Sequence, residues 1–160
     1  ARFRFSEGRR ASVRAAINAL TIVGVEALAD RAVTTLSGGE LQRVMMATLV
    51  AQDARVLLLD EPANHLDPAH QIGFYDLICK QWTNGRGVVV ITHDINLLTQ
   101  LAPAGREEEL RVIGLKEGSV AFQTSLADPA LGAQLGSLFG LPIATVTRNG
   151  RRYFLAGSQP

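Results

Sequence analysis

Cysteine is nearly absent from this chain: Cys79 stands alone among 160 residues. One thiol excludes an internal disulfide and fits a reducing compartment. Its place in an apolar helical pattern makes it a packing residue before a reactive one. Long apolar runs are missing too. No stretch approaches the roughly 20 apolar residues that a membrane-spanning helix requires, and no signal-peptide pattern is visible. Nor does either sign of charge dominate. With 16 basic against 15 acidic residues, no general attraction to nucleic acid follows. Internal repeats and low-complexity segments are absent. The chain opens at Ala1 rather than Met, which sets the expectation that its natural amino terminus, with any targeting information, lies upstream.

What is present is a globular composition. A hydrophobic content of 47% against 19% charged residues separates the chain from disordered segments, and its length suits one domain with a real core. Basic residues are uneven: Arg2, Arg4, Arg9, Arg10 and Arg14 crowd the first turns. Such a run reads as a solvated face before a docking surface.

The most informative stretch is residues 56–67, VLLLDEPANHLD. Four apolar residues run into two adjacent carboxylates, Asp60 and Glu61, and Pro62 then ends any ladder of hydrogen bonds. A short apolar run closed by a breaker predicts a strand buried on both faces, the usual state in a parallel sheet. Its acids then stand at the carboxyl end of the strand, where open α/β sheets collect ligands. A strand that merely ends in an acidic loop has the same local pattern. Desolvating two neighbouring carboxylates is costly, however, unless a cation or a reaction uses them.

Ahead of this strand, residues 1–10 read as a loose lead-in. Val13, Ala16, Ile17, Leu20 and Val23 then fall at helical spacing, with Gly24 placed to close the helix. A second short helix is expected over 26–30. The sequence TLSGGELQRV at 35–44 puts Ser37 before two glycines and a helix over 40–51, with Leu41, Val44, Met45, Thr48 and Leu49 on its inner face. Ser-Gly-Gly at a helix start offers a hydroxyl, uncovered N–H groups and the positive end of the dipole, a combination that binds phosphate oxygens. An ordinary Ser N-cap has the same composition.

Beyond the acids, 64–68 reads as a turn with Pro68 opening a helix. That helix, over 69–82, is expected to bury Ile72, Tyr75, Leu77, Ile78 and Trp82. A second apolar, β-branched strand at 88–91 completes a βαβ unit, and Thr92-His93-Asp94 follows it. His93 is thereby placed on the same edge as Asp60 and Glu61, and a catalytic role competes with the structural role of an ordinary loop histidine. Asp94 caps a helix running to about Leu101, and 104–109 forms a charged loop. Strands at 110–115 and 119–123 flank a hairpin turn. A helix follows Asp128-Pro129, carrying Leu131, Leu135, Leu138 and Phe139. Strands at 143–147 and 152–155 flank Asn149-Gly150, a strong hairpin signal.

Taken in order, LSGGE at 36–40, VLLLDEP at 56–62, NHLD at 64–67 and TH at 92–93 resemble the second half of an ABC-transporter ATPase. They correspond to that family's signature motif, Walker B strand, D-loop and switch histidine. Glu40 in place of the commoner Gln, the run NHLDPAHQ and the tail at 128–155 resemble the group that energises import of iron–siderophore complexes, haem or vitamin B12. The implied fold is α/β, a partial P-loop NTPase fold with parallel strands, flanking helices and C-terminal β-hairpins. Its implied divisions are a piece of the helical subdomain at 1–34, half of the ATPase core at 35–127, and a helix with a hairpin at 128–160.

By the same resemblance, Asp60 holds Mg²⁺ through a water, Glu61 polarises the attacking water and His93 contacts the γ-phosphate of ATP. Leu36, Ser37, Gly38, Gly39 and Glu40 close over the ATP of a second subunit, and Asp67 lies near the shared seam. The implied partners are a second copy packed head to tail and membrane permease subunits, with a substrate-binding protein acting indirectly; no nucleic acid is expected. The implied location is the cytoplasmic face of the cell membrane, with residues 11–34 as the coupling surface. No GxxxxGK[ST] occurs in the chain, so the phosphate-cradling loop and its lysine are missing. The chain therefore reads as the carboxyl-terminal half of a longer cassette, inactive by itself. The rival from another class is a soluble ABC ATPase acting on ribosomes or DNA without a permease.

Overall fold

The computed structural model describes residues 2–64 and 66–157, with side chains from residue 12 onward. His65 and the side chains of Arg2, Arg4, Arg9 and Arg10 lie outside the described residues. The chain forms two compact units, Ala1–Ile91 and Thr92–Pro160.

In the first unit, helix α1 spans Arg2–Ile22, so the expected loose lead-in is helical instead. Arg is among the better helix formers, no proline intervenes, and the single Gly8 costs only about 1 kcal/mol. Gly24 ends the helix in the left-handed conformation, at φ 71°. Two short 3₁₀ turns, Glu26–Leu28 and Val33–Thr35, lead to helix α2, Gly38–Ala51. Strand β1 is Val56–Asp60, helix α3 Pro68–Thr83 and strand β2 Gly87–Ile91.

β1 and β2 pair in parallel, with Val56 opposite Gly87 and Asp60 opposite Ile91. Residues Leu57 and Leu59 are buried, while Val56 and Leu58 are exposed, Leu58 to 73%. Val89 and Ile91 of β2 are exposed as well. Burial on both faces of the strand is therefore not met within the described residues. Among the described residues one face of the pair is covered and the other lies open, so period-2 alternation returns.

The helices correct the sequence reading in the same way. On α1 Ala19 is buried, as is Val23 just beyond its end, whereas Val13 and Ile17 are about half exposed. On α2 the buried residues are Met46, Ala47 and Val50, with Met45 and Thr48 turned outward. α3 buries Tyr75, Leu77 and Ile78 as expected, adds Phe74 and Gln81, and leaves Ile72 exposed and Trp82 half-buried. α2 packs against both α1 and α3, so its buried stripe is set by two neighbours at once. Periodicity alone cannot fix which edge of an apolar stripe they cover.

The second unit begins with the helical segment expected after Asp94, which spans Ile95–Leu101, is capped by Asp94 and is 3₁₀ in form, followed by a 3₁₀ turn at Glu107–Glu109. Strands β3 (Arg111–Lys116) and β4 (Ser119–Ser125) form an antiparallel hairpin, as do β5 (Ile143–Arg148) and β6 (Arg151–Ala156). Both turns place consecutive residues at positive φ, Glu117-Gly118 and Asn149-Gly150, the geometry that suits the twist of a tight hairpin. Helix α4, Leu131–Phe139, packs on β3, β4 and β5. Its Leu131 and Leu135 join Leu126 and Phe154 in the core, while Phe139 is exposed. Asp128 accepts the N–H of Ala130 and the Thr124 hydroxyl, which fixes the entry to α4.

Candidate functional site

The first group of site residues is built by a helix start. Ser37 is the N-cap of α2, and the first turn forms a complete capping box. The Glu40 N–H donates to Ser37 Oγ at 3.3 Å, and the Ser37 N–H donates back to Glu40 Oε2 at 2.8 Å. The Ser37 hydroxyl also donates to Glu40 Oε2, at 2.9 Å. On its other oxygen Glu40 accepts Arg31 Nη1 at 3.1 Å, and Arg31 Nη2 reaches the Thr35 carbonyl at 2.6 Å. These bonds hold the Glu40 carboxyl below its ordinary range, the Ser37 N–H contributing most, then the Ser37 hydroxyl and the Arg31 guanidinium.

Ser37 and Gly38 are exposed, and Leu36, Gly39 and Glu40 are half-buried. In any α-helix the first N–H groups have no intrahelical acceptor, and the box takes up those of Ser37 and Glu40. The N–H groups of Gly38 and Gly39 thus remain at the positive end of α2. A Cβ at Gly38 would meet nothing within 4 Å, so its missing side chain serves no packing need of its own chain. It leaves the approach to the backbone clear.

The second group sits where the paired strands end. Asp60 is the last residue of β1 and is exposed. The Glu61 N–H donates to the Ile91 carbonyl at 2.9 Å, extending the ladder by one step. Glu61 then turns into the left-handed region at φ 43°, a conformation costing a non-glycine residue about 1–2 kcal/mol. Pro62 and Ala63 behind it are buried and anchor that turn. Strain of this kind concentrates where a side chain must be aimed.

Asp67 caps α3, accepting the N–H groups of Ala69 and His70 at 3.1 and 3.0 Å, with Pro68 in the first turn. Its second oxygen meets His70 Nδ1 at 2.5 Å. The His70 N–H, then the His70 ring, then the Ala69 N–H hold its carboxyl below the usual range. His93 is exposed, two residues beyond the end of β2. The Asp94 N–H donates to Thr92 Oγ1 across it at 3.1 Å, and Asp94 Oδ1 accepts the Asn96 N–H at 2.9 Å. This local turn holds the backbone on either side of the imidazole.

Two contributors escaped the sequence reading. Arg31 lies nine residues before Glu40 with no periodic signal to connect them. His70 did have one: it stands three residues after an N-cap aspartate, the spacing of a capping box. No group of three or more His, Cys, Asp or Glu able to hold a metal occurs among the described residues, which rules out an all-protein cage built from them. Asp60 offers a hard oxygen at an exposed strand end. That donor fits Mg²⁺, which keeps several waters and takes its other ligands from phosphate oxygens.

Known proteins resemble the chain along most of its length. The family pattern described as ABC transporter matches residues 4–64. The hemin import ATP-binding protein HmuV of Hydrogenovibrio crunogenus is 38% identical over 135 residues, covering 78% of this chain and 50% of that protein. The petrobactin import ATP-binding protein FpuD of Bacillus anthracis is 35% identical over 141 residues, covering 84% and 52%. The chain thus spans about half the length of these curated relatives. Among solved structures, an inward-facing ABC transporter described as being of metal-chelate type superposes with a TM-score of 0.77 at 24% identity, over 91% of this chain and 57% of that one. That likeness concerns the fold. An archaeal ribosome recycling factor, solved with a ribosomal stalk protein, matches less well, with a TM-score of 0.56 at 28% identity over 88% of this chain and 26% of that one.

Proposed function

Because the chain belongs to the ATP-binding subunits of the ABC transporter family, we propose that the whole protein couples ATP hydrolysis to uptake across a membrane, with an iron–siderophore complex, haem or cobalamin as cargo. The relatives named for hemin and petrobactin import support that choice of cargo. They also favour an importer over a ribosome-acting ATPase, whose solved example superposes less closely. The observation that carries the reading is the strained turn at Glu61, which ends a parallel strand pair on two adjacent carboxylates.

In this reading Glu61 accepts a proton from the water that attacks the γ-phosphate, and His93 contacts that phosphate. Asp60 would hold Mg²⁺, which when bound would supply positive charge at the phosphate oxygens. Ser37 and the N–H groups of Gly38 and Gly39 receive the phosphates of ATP held by a second copy packed head to tail, with Leu36 and Glu40 shaping that turn. The Ser37 hydroxyl must then exchange its bond to Glu40 for one to phosphate. Arg31 keeps the Glu40 charge compensated while it does so. Asp67 stands near the seam between copies.

The functional division we assign is helical subdomain at 1–34, ATPase core at 35–127, and helix with hairpin at 128–160. Residues 11–34 face permease subunits on the cytoplasmic side of the membrane, and a binding protein delivers cargo to the permease. The open apolar face formed by Val56, Leu58, Val89 and Ile91 is covered by the other half of the cassette. ATP turnover by the whole protein, reconstituted with its permease, is the test. Turnover stimulated by cargo-loaded binding protein is expected; turnover stimulated by ribosomes instead would overturn the importer reading.

A further inference from the structure

The two glycines that open α2 differ in what surrounds them. At Gly38 an added Cβ would find open space, but at Gly39 it would lie 2.8 Å from His70 Cδ2 and 3.2 Å from both Cγ and Nε2. Real Cβ atoms do not approach that closely, so the His70 ring lies against the backbone of α2. Neither glycine has positive φ. Position 39 therefore needs glycine because of the imidazole, not because of its own backbone conformation.

The far side of the same ring is also held. Nδ1 lies 2.5 Å from Asp67 Oδ2, while Asp67 Oδ1 accepts the backbone N–H groups of Ala69 and His70. An ionised carboxylate has no proton to offer, so Nδ1 carries the hydrogen and donates. The ring is thereby fixed in tautomer and in plane. One side chain thus bridges the first turn of α2 and the cap of α3.

We propose that His70 is a positioning residue that locks the Leu36–Glu40 turn to the Asp67 turn, so that the two move as one body when phosphate engages Ser37. The inference rests on the function proposed above. It adds a link within one chain between two turns that each face the second copy. Such a link makes closure at one nucleotide register at the seam without a further conformational step.

The test uses the whole protein reconstituted with its permease. His70→Ala is expected to lower kcat for ATP about tenfold with KM unchanged. His70→Asn, whose side-chain amide can donate to Asp67 from nearly the same place, should recover most of that loss. Amide exchange measured without nucleotide should speed up at Glu40 and Leu41 as well as at Ala69 and His70 in the alanine variant. Wild-type kcat in His70→Ala, or faster exchange confined to the first turn of α3, would overturn the proposal. Should His70→Ala fail to fold, His70→Asn carries both measurements, with kcat and exchange near wild type expected and loss equal to an unfolded control contradicting it. If the wild-type protein hydrolyses no ATP, the proposed function fails, and the exchange experiment still decides whether the two turns are linked.

Discussion

The helix starts and the strand faces of the first unit are specified in different ways. At Ser37 and Asp67, residues within three positions of one another supply the cap bonds, with Arg31 adding one bond to Glu40 from nine residues away. On β1 and β2, Leu57 is buried while Leu58 is 73% exposed, although the sequence makes both equally apolar. A cap needs only its own neighbours in sequence, whereas a sheet face needs a layer supplied from elsewhere in the fold. The site draws on both kinds of structure. Its helix-start turns are capped by nearby residues, and its carboxylates ride on a strand pair whose second face is open.

The largest expected effect lies on the strand side of that comparison. Glu61→Gln in the whole protein should retain ATP binding and lower turnover by about 10²-fold or more, the usual worth of a general base. Hydrolysis at the wild-type rate would remove Glu61 from that role.

The glycine pair sharpens the helix side. Gly39→Ala should cost about 1–3 kcal/mol in thermal unfolding, because the new methyl overpacks against His70. Gly38→Ala should be neutral or gain at most about 1 kcal/mol, yet still slow turnover by obstructing the phosphate. Equal melting shifts for the two variants would contradict the asymmetry. Ser37→Ala comes next, with a loss of about 1 kcal/mol from the cap, read in the same melts.

The smallest effect is on pH dependence. Glu40, Asp67, Glu109 and Asp128 all have folded-state pKa values below the ordinary carboxylate range. For Glu109 the cause is its bond to Arg106; for Asp128 it is the Thr124 hydroxyl first, then the Ala130 N–H and Arg152. Their stabilising contribution is complete above the ordinary carboxylate range and is lost as pH falls through the lowered values. Melting temperature should therefore fall below about pH 4, and Glu40→Gln should flatten part of that fall. An unchanged acid limb in Glu40→Gln would show that the capping box does not carry it.

The same contrast explains what could be read from the sequence. The strand ends at Asp60 and Ile91, the caps at Ser37 and Asp94, the helix opening at Pro68, and the turns at Glu117-Gly118 and Asn149-Gly150 follow from local chemistry, and each was legible. The buried faces were not. Met46 and Ala47 are buried where Met45 and Thr48 were expected, because α1 and α3 together choose the stripe on α2. Val13 and Ile17 keep an apolar pattern that is only half covered among the described residues. The Arg31–Glu40 pair was invisible because nothing in a nine-residue separation marks it. The Asp67–His70 pair carried the spacing of a capping box, and a reading that admitted histidine at the third position would have found it.

The central claim is that Ser37 of one copy completes the site built on Glu61 of another. Dimers mixed from a Ser37→Arg copy and a Glu61→Gln copy test it directly, because each parent dimer has two damaged sites. If the two residues serve different chains, the mixed dimer has one site with both residues intact, and ATP turnover should rise well above either parent. Mixed dimers no more active than their parents would contradict it.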